Sequence, residues 1–487
     1  MDFSFFSYFR AATPSLADAG RLGMVSALDG WTAMPLLAKV QEYGWLKPLL
    51  EQDELRLTDL PGFHRQAVTD MFYYLASIAL IKFVDESMEA VSIVPSGLAV
   101  LEELAQGNWK PELHHARLSG RPVNPVLVQY PYFQNPLTNR FRQLRTERLF
   151  KMVAGTYVTP ILMGLTHFDL GTAWNNGENI SIQRPPQAMN QDTFADMLRI
   201  LEELDMAEFG EHRESVHLTP YGLAVWKQRH ALAVPYSYRP YLPNYDQLFH
   251  AGDAQAHCIR ADNVIGSGNT HGKVFELSKA AILSSTAQYA VDPGCGSGAF
   301  LIYVNQVRRE AGLSELRLVG IDFEAAALEV AKLNLQAAEA ENPVLLAGDI
   351  GDPAGIKAAL QALGIDTKDC EFFSNFIAHE VTGRRNAITP EALFTAHRTH
   401  LGQGHGNHFS EVFTIPWQIA ARPDVYPGTT NTAYDWWHRA SRQGMHLQGR
   451  WQSAMAQAGF GRIDFKGIRR IPGTELYAHG LLSGYHP

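Results

Sequence analysis

Cysteine is scarce: Cys258, Cys295 and Cys370 are the only three in 487 residues. They are too few and too scattered for a disulfide framework or a zinc ribbon, so a reducing, cytoplasmic setting is expected. Positive charge is also short, with 41 Lys plus Arg against 50 Asp plus Glu and a formal net charge of −9. That balance argues against affinity built on neutralising nucleic-acid phosphates. Long apolar runs are missing as well. The most apolar stretch, Met71 to Val84, contains Lys82 and is shorter than the ~18 residues of a membrane span. It reads as a buried helix running into a strand. The opening residues, MDFSFFSYFRAATPSLADAG, lack a basic segment followed by an unbroken apolar one, so no signal peptide is read. What is present is globular: 46% hydrophobic and 19% charged, which excludes disorder, collagen and coiled coil as the main state. At roughly 150 residues per domain, the length allows about three domains.

Two segments match at a constant offset. SIVPSGLAVLEEL (Ser92–Leu104) resembles HLTPYGLAVWKQR (His217–Arg229), with Pro95, Gly97, Leu98, Ala99 and Val100 returning as Pro220, Gly222, Leu223, Ala224 and Val225. The same spacing of 125 aligns Pro35 with Pro160, Leu75 with Ile200 and Val91 with Val216. Each copy predicts a helix of period 3.6 (Met71–Ala79; Phe194–Leu204), a hairpin (Ile81–Val84 with Val91–Val94; Ala207–Phe209 with Ser215–Leu218) and a closing helix with proline in its first turn. With a helix ahead of each copy, this is the outline of a winged helix, duplicated. Such a module binds DNA, dimerises or covers a substrate. DNA is disfavoured, because Thr69–Ala79 has no Arg or Lys and Asp192–Leu204 has only Arg199. The Pro- and aromatic-rich stretches Ser119–Asn139 and Val234–Phe249 read as ordered connectors, since aromatics favour burial. The expected domains are 1–120 and 140–235 for the two copies, 236–285 for a connector and lid, and 286–487 for the remainder.

From about residue 286 the pattern changes to alternating apolar strands (288–292, 316–321, 343–347, 369–375, 407–413) and helices (299–311, 324–339, 353–363, 389–401). A series of this kind implies a parallel sheet covered on both faces. Thr389 and Pro390 mark a helix start. Trp451–Phe460 reads as a helix, and Arg462–Gly467 with Glu475–Leu481 as an antiparallel pair around Pro472-Gly473.

The most informative string is YAVDPGCGSGAFL (Tyr289–Leu301). A strand ends at Asp292, and a loop offers Gly294, Gly296 and Gly298 before a helix begins near Ala299. Glycines let a ligand reach the backbone and supply positive φ; the helix start adds free N–H groups. Two cofactor classes use such a loop. The dinucleotide pattern GxGxxG/A is formally met by Gly294, Gly296 and Ala299. S-adenosylmethionine (SAM) sites place an acid two residues before a GxGxG, and Asp292 with its three glycines fits that better. An acid is welcome beside a sulfonium and an ammonium and unwelcome beside a pyrophosphate. Asp322, ending LRLVGID, would accept ribose hydroxyls, a position NAD enzymes share. Asp349, ending VLLAGD, would accept the adenine amine. For each, the plainer role is a helix cap, with Asp352 an alternative cap near Asp349.

Residues 286–487 resemble a class I SAM-dependent methyltransferase with an extended, partly duplicated N-terminal half. The fold expected is α/β: a Rossmann-like seven-stranded sheet at the C-terminus, its last hairpin antiparallel, preceded by a mostly helical, winged-helix-like region. The resemblance implies SAM held by Asp292, Gly294, Gly296 and Gly298 at the first strand. It implies Asp322, Phe323, Asp349, Ile350 and Asn375 at the next strand ends.

EFFSNFIAHEVTG (Glu371–Gly383) resembles the His-Asp segment of small-molecule O-methyltransferases, in which the His is the general base. His379-Glu380 stands in that place, although Val381 replaces the following Trp. It also resembles polyketide-type and iron-dependent 2-oxo-acid methyltransferases, in which a His nearby holds a mononuclear iron or manganese. His379 is therefore expected to serve as base or metal ligand. Glu380 would steady it, and Gln443 or Glu411 would be a further metal partner. His405 and His408 read as a turn rather than a ligand pair. Gly266, Ser267, Gly268 and His271, before the core, are candidates to contact SAM or substrate. Aromatics at Phe413, Trp417, Tyr426, Tyr434, Trp436, Trp437 and Trp451 line a substrate pocket or fill a core.

Together these readings predict an enzyme that methylates a small molecule or a carrier-bound acyl group, in natural-product biosynthesis. It would be a cytoplasmic homodimer with no nucleic-acid or membrane partner. The rivals are a SAM-binding enzyme that does not methylate, a nicotinamide-dependent oxidoreductase, and a winged-helix regulator.

Overall fold

The computed structural model describes residues 15–52, 54–106, 114–115, 131–132, 146–167, 173–174, 178–181, 191–260, 262–264, 266, 272–383, 388–426 and 431–486. Ser267, Gly268, His271 and most of the Ser119–Asn139 connector lie outside them. The chain divides into two compact units: Met1–Ile259 with Trp417–Ala433, and Arg260–Pro416 with Tyr434–Pro487. The second boundary falls earlier than the residue 286 expected. Segment 272–284 is helical and packs on the sheet through Phe275 and Ile282, so it belongs to the core that it precedes.

In the first unit the repeat is visible in three dimensions. One copy holds α1 (Leu16–Glu42), α2 (Arg65–Ser77), β1 (Ile81–Phe83), β2 (Ala90–Ile93) and α3 (Pro95–Gln106). The other holds α4 (Glu147–His167), α5 (Gln191–Glu203), β3 (Ala207–Phe209), β4 (Ser215–Leu218) and α6 (Pro220–Trp226). Each hairpin gains a two-residue third strand (Leu55–Arg56; Ile180–Ser181), too short to leave an alternation in sequence. Thr219 caps α6 by accepting the Gly222 amide at 2.9 Å, with Pro220 in the first turn. The shared glycines have one job. A β-carbon on Gly97 would stand 1.9 Å from the Leu80 carbonyl oxygen, and one on Gly222 1.8 Å from that of Met206.

Arg148–Thr166, in α4, is long and apolar enough by composition to cross a membrane, yet 72% of that window is buried. Lys151 and the small polar residues within it break up the apolar run in sequence, and its burial is that of a core helix packed on α1. The Val234–Phe249 connector is a chain of short helical turns with Tyr236, Tyr238, Tyr241, Tyr245 and Phe249 buried.

The second unit is a seven-stranded sheet: β5 (Tyr289–Pro293), β6 (Arg317–Asp322), β7 (Val344–Ala347), β8 (Cys370–Asn375), β9 (Gly406–Val412), β10 (Arg462–Arg470) and β11 (Tyr477–Tyr485). The spatial order is β7-β6-β5-β8-β9-β11-β10. All neighbours are parallel except β11, which is antiparallel to β9 and β10. This is the Rossmann-like methyltransferase sheet expected, with every boundary of the first five strands within a residue or so. The order reverses between β5 and β8, which opens a crevice at their carboxyl ends. Helices α7 (Ala299–Glu310), α8 (Ala325–Ala337), α9 (Pro353–Ala362), α10 (Ala378–Thr382), α11 (Pro390–Leu401), α12 (Asn431–Ala440) and α13 (Gln448–Gln457) complete the unit, α12 beginning in the excursion that folds with the first.

Candidate active site

Strand β5 is buried on both faces, as a central parallel strand must be, and delivers Asp292 to the crevice. The next residues turn sharply. Gly294, Gly296 and Gly298 have φ of +88°, +52° and +75°, where a side chain is strained. The amides of Gly294 and Cys295 both donate to the Ile321 carbonyl at 2.7 and 3.0 Å, fastening the loop to β6. Asp322, at the end of β6, accepts from the Gly296 amide (3.0 Å) with one oxygen and from the Glu324 amide (3.0 Å) with the other. It therefore shapes the glycine loop from the end of its strand.

Asp292 is 1% exposed, and its Oδ1 accepts no hydrogen bond among the described residues. Burial raises its carboxyl to about 8; Asn375, at the end of β8, pulls it down and the Asp322 charge pushes it further up. Such a group is costly as an anion unless a cation arrives. Asp292, Asn375 and the glycine loop line one cleft. Phe376, beside them, holds φ +55°, an unusual conformation for an aromatic residue.

Of the other expected cofactor contacts, Asp322, Phe323, Asp349 and Ile350 lie outside the lining of this cleft. Phe323 is 45% exposed, unusual for its size, with the Arg260 guanidinium 5.9 Å from its ring centroid. Asp349 accepts the Gly351 amide at 2.8 Å, while α9 is capped by Asp352 through the Gly355 amide at 3.0 Å; the capping role falls to Asp352. Ile350 departs from expectation. Its side chain is buried in the cluster of Ile377, Val381 and Phe394, and its carbonyl bonds His397 Nε2 at 3.1 Å. Strand-end position alone could not tell which way it turns.

At the exit of β8, α10 carries His379 and Glu380. His379 Nδ1 lies 2.6 Å from Glu411 Oε2 near the end of β9, and both side chains are buried. The other Glu411 oxygen accepts the Ala378 amide at 2.7 Å, one of the free donors at a helix start. The His379 carbonyl accepts the Gly444 amide at 2.7 Å, and the His438 ring stands 4.9 Å away, edge to face. Burial depresses the His379 imidazolium, but the Glu411 charge and hydrogen bond outweigh it, and its pKa ends above the ordinary histidine value.

One expectation is corrected here. Glu380 does not steady His379; its Oε1 pairs with Arg260 Nη1 at 2.7 Å, and Glu411 is the steadying carboxylate. Gln443 follows α12, its amide bonding the His438 carbonyl there at 2.8 Å, and its neighbour Gly444 makes the contact with His379 on α10. Yet no group of three His, Cys, Asp or Glu able to hold a metal stands among the described residues. His408 lies far down β9, bonded to Glu371 Oε1 (2.7 Å) and Ser483 Oγ (2.8 Å), and His405 contacts Thr286; neither joins the site. Trp436, Trp437, Trp451 and Phe413 are core. Arg260 and His438 were not anticipated. Arg260 is a helical residue at the start of the pre-core segment that also holds Gly266, and His438 lies on α12; neither sits in a chemical pattern of its own.

Residues 255–411, about a third of the chain, match the model of a methyltransferase family described as the AprA MT2-like domain. This stretch is a methyltransferase domain. No curated protein matches the sequence. Among solved structures, the chain is similar to an O-methyltransferase family protein from Burkholderia thailandensis: 11% identity, 72% of this chain and 96% of that one, TM-score 0.45. It is similar to the mitomycin 7-O-methyltransferase MmcR at 12% identity, over 72% and 100% of the two chains, TM-score 0.47. Human N-acetylserotonin methyltransferase in complex with SAM gives 12% identity, 68% and 94%, and TM-score 0.41.

Proposed function

We propose that the chain transfers a methyl group from SAM to a small molecule or a carrier-bound acyl group, with His379 as general base. The residues present suit SAM: a buried Asp292 oxygen without a partner among the described residues lies in a cleft lined by Gly294, Gly296 and Asn375, and Asp322 at the next strand end holds the Gly296 amide. When bound, SAM supplies an electrophilic methyl group on a positive sulfur. The glycine loop approaches it with backbone only, and Asp292 offsets its charge. The carrying observation for the base is the 2.6 Å contact of His379 with Glu411. Glu411 fixes the tautomer, leaving Nε2 to take a proton from the acceptor, an effect worth roughly 10²–10⁴ in rate. Placing the acceptor about 3 Å from the methyl group supplies much of the rest.

Among the described residues no three His, Cys, Asp or Glu come together as a metal site, and the reaction is derived from the residues present. The proposal keeps the expected setting: a cytoplasmic homodimer serving natural-product biosynthesis, without nucleic-acid or membrane partners. The test uses the purified chain with SAM and a panel of hydroxylated aromatics and pantetheine thioesters. His379→Ala should bind S-adenosylhomocysteine as the wild type does and lose at least roughly 100-fold in rate. An unchanged rate removes His379 from the reaction. S-adenosylhomocysteine binding without turnover on any acceptor favours a SAM enzyme that does not methylate, and binding of NAD alone overturns the SAM reading.

A further inference from the structure

We propose that Arg469, with His479 beside it, forms an acceptor subsite that holds a carboxylate of the substrate away from the atom that is methylated. The inference deepens the reading of the crevice as a methyl-transfer site and rests on it. β11 runs antiparallel to β9, so the Tyr477 end of β11 and the Arg470 end of β10 lie at the end of the sheet where β5 and β8 deliver Asp292 and Asn375. Asn375 pairs with Ser410, and Val412, two residues on, pairs with His479. Cross-strand partners and alternate residues share a face, so His479 continues the face on which Asn375 lines the cleft. The Phe376 ring, also in that lining, meets the His479 ring edge to face at 6.0 Å.

Arg469 breaks the pattern of its strand. β10 keeps one register with β11 from Arg462↔Tyr485 to Arg470↔Tyr477, yet Arg469 is left out of the pairing and has φ +57°. That conformation comes freely to glycine and strains arginine, and strain of this kind concentrates at functional positions. Its neighbours Arg462 and Arg470 pair with Asp464 and Glu475; among the described residues no carboxylate pairs with Arg469. Its charge acts on His479 and on Tyr434 of α12. His479 Nδ1 is buried and bonds nothing among the described residues, a cost that a hydrogen-bonding ligand removes. Burial and the Arg469 charge pull the His479 pKa down to about 3, so the ring is neutral and offers a hydrogen bond without a second charge. Three strands separate β10 from β5, about 19 Å at the usual strand spacing. The glycine loop therefore holds the cofactor far from Arg469, and the anion that this guanidinium meets belongs to the acceptor. The forked donors of arginine match the two oxygens of a carboxylate.

Acceptor binding is read by titration calorimetry on the full chain loaded with S-adenosylhomocysteine, so the result needs no turnover. The probes are matched pairs: hydroxybenzoates against the corresponding hydroxybenzamides, and succinyl-pantetheine against butyryl-pantetheine. The wild type should bind the acid of at least one pair roughly 10- to 100-fold more tightly than its neutral partner, the size of a charge-assisted contact. Arg469→Met should bring that ratio to within about twofold of unity, and Arg469→Lys should keep part of it. His479→Phe, which keeps a ring beside Phe376 and removes the hydrogen bond, should lower the ratio by a smaller factor. A wild type with no preference for the acid in either pair overturns the proposal. So does an Arg469→Met chain that weakens acid and neutral partner equally and keeps the ratio, because Arg469 then only shapes β10. A wild-type chain that binds no S-adenosylhomocysteine overturns the SAM reading instead, a failure visible before any acceptor is added.

Discussion

Gly30 and Gly155 hold equivalent positions in the repeat, 125 residues apart, and each is where its long helix meets the other. A β-carbon on Gly30 would lie 2.1 Å from the Met152 carbonyl oxygen and 2.6 Å from Gly155 Cα; one on Gly155 would lie 2.4 Å from the Ser26 carbonyl oxygen. Thr156 and Thr159 of α4 donate across the crossing to Gly30 and Ala27 of α1, at 3.2 and 3.0 Å. The two copies present the same patch to each other, as the halves of an isologous dimer do, but within one chain.

This crossing makes Gly30→Ala a sensitive probe. In an isolated helix that change adds roughly 0.8–1 kcal/mol of stability. Here the added methyl group meets backbone that cannot rotate away, and the expected result is a loss of about 1–3 kcal/mol, read as a lower thermal midpoint. A neutral or stabilised variant would show that α1 and α4 do not approach this closely.

The repeat was legible because its signals are local: proline at a helix start, glycine against a carbonyl and a two-residue strand alternation recur at fixed offsets. The sheet of the second unit was legible for the same reason, since β5 to β8 are short, largely apolar runs each ended by Gly, Asp or Asn. Asp292 and Asp349 announced themselves as acids at strand ends. The partners of His379 did not. Glu380 is adjacent in sequence, but on a single-turn helix adjacent side chains point different ways, so it faces Arg260 while Glu411 reaches across from the neighbouring strand. That pairing depends on register, which one strand's sequence does not carry. Ile350 shows the same limit, turning into the core from a position read as facing the crevice.

Glu411→Gln should move the pH dependence of methyl transfer in a defined direction. The Glu411 charge holds the His379 pKa above the ordinary value against the pull of burial. In the wild type the neutral, proton-accepting form therefore fills only at higher pH, and the acid limb of kcat/KM should lie above about 6.5. With glutamine the charge is gone while burial remains, so the limb should fall below that value. An acid limb that stays in place would mean that Glu411 does not tune the base.

Asp292 makes SAM affinity depend on pH. Its carboxyl, raised to about 8 by burial, is protonated at neutral pH without ligand, whereas a cationic ligand favours the anion. Binding then releases a proton, and affinity should rise by up to tenfold per pH unit until the curve flattens near pH 8. Calorimetry in buffers of different ionisation enthalpy counts that proton. Asp292→Asn should bind more weakly and show a flat profile; a flat wild-type profile would exclude proton release at Asp292.

In the first unit, Asp29 provides a stability test of opposite character. It is buried on α1, accepting from Tyr74 at 3.3 Å and from Tyr426 at 2.9 Å, the second residue coming from the excursion that follows β9. Burial raises its pKa from 3.8 to about 6, outweighing Tyr426, the Arg148 charge and Tyr74, which lower it. The folded state thus binds the proton more tightly than the unfolded chain. The stabilisation is complete below about 3.8, where both states are protonated, and is lost as pH rises through about 6, by roughly 3 kcal/mol in total. Asn cannot ionise and resembles the protonated acid in shape and charge. Asp29→Asn should therefore match the wild-type melting midpoint near pH 4 and exceed it near pH 8, the gap opening across the interval between. A variant destabilised equally at both pH values would mean that the tyrosines need a carboxylate there, and that the charge on Asp29 is no burden to the fold.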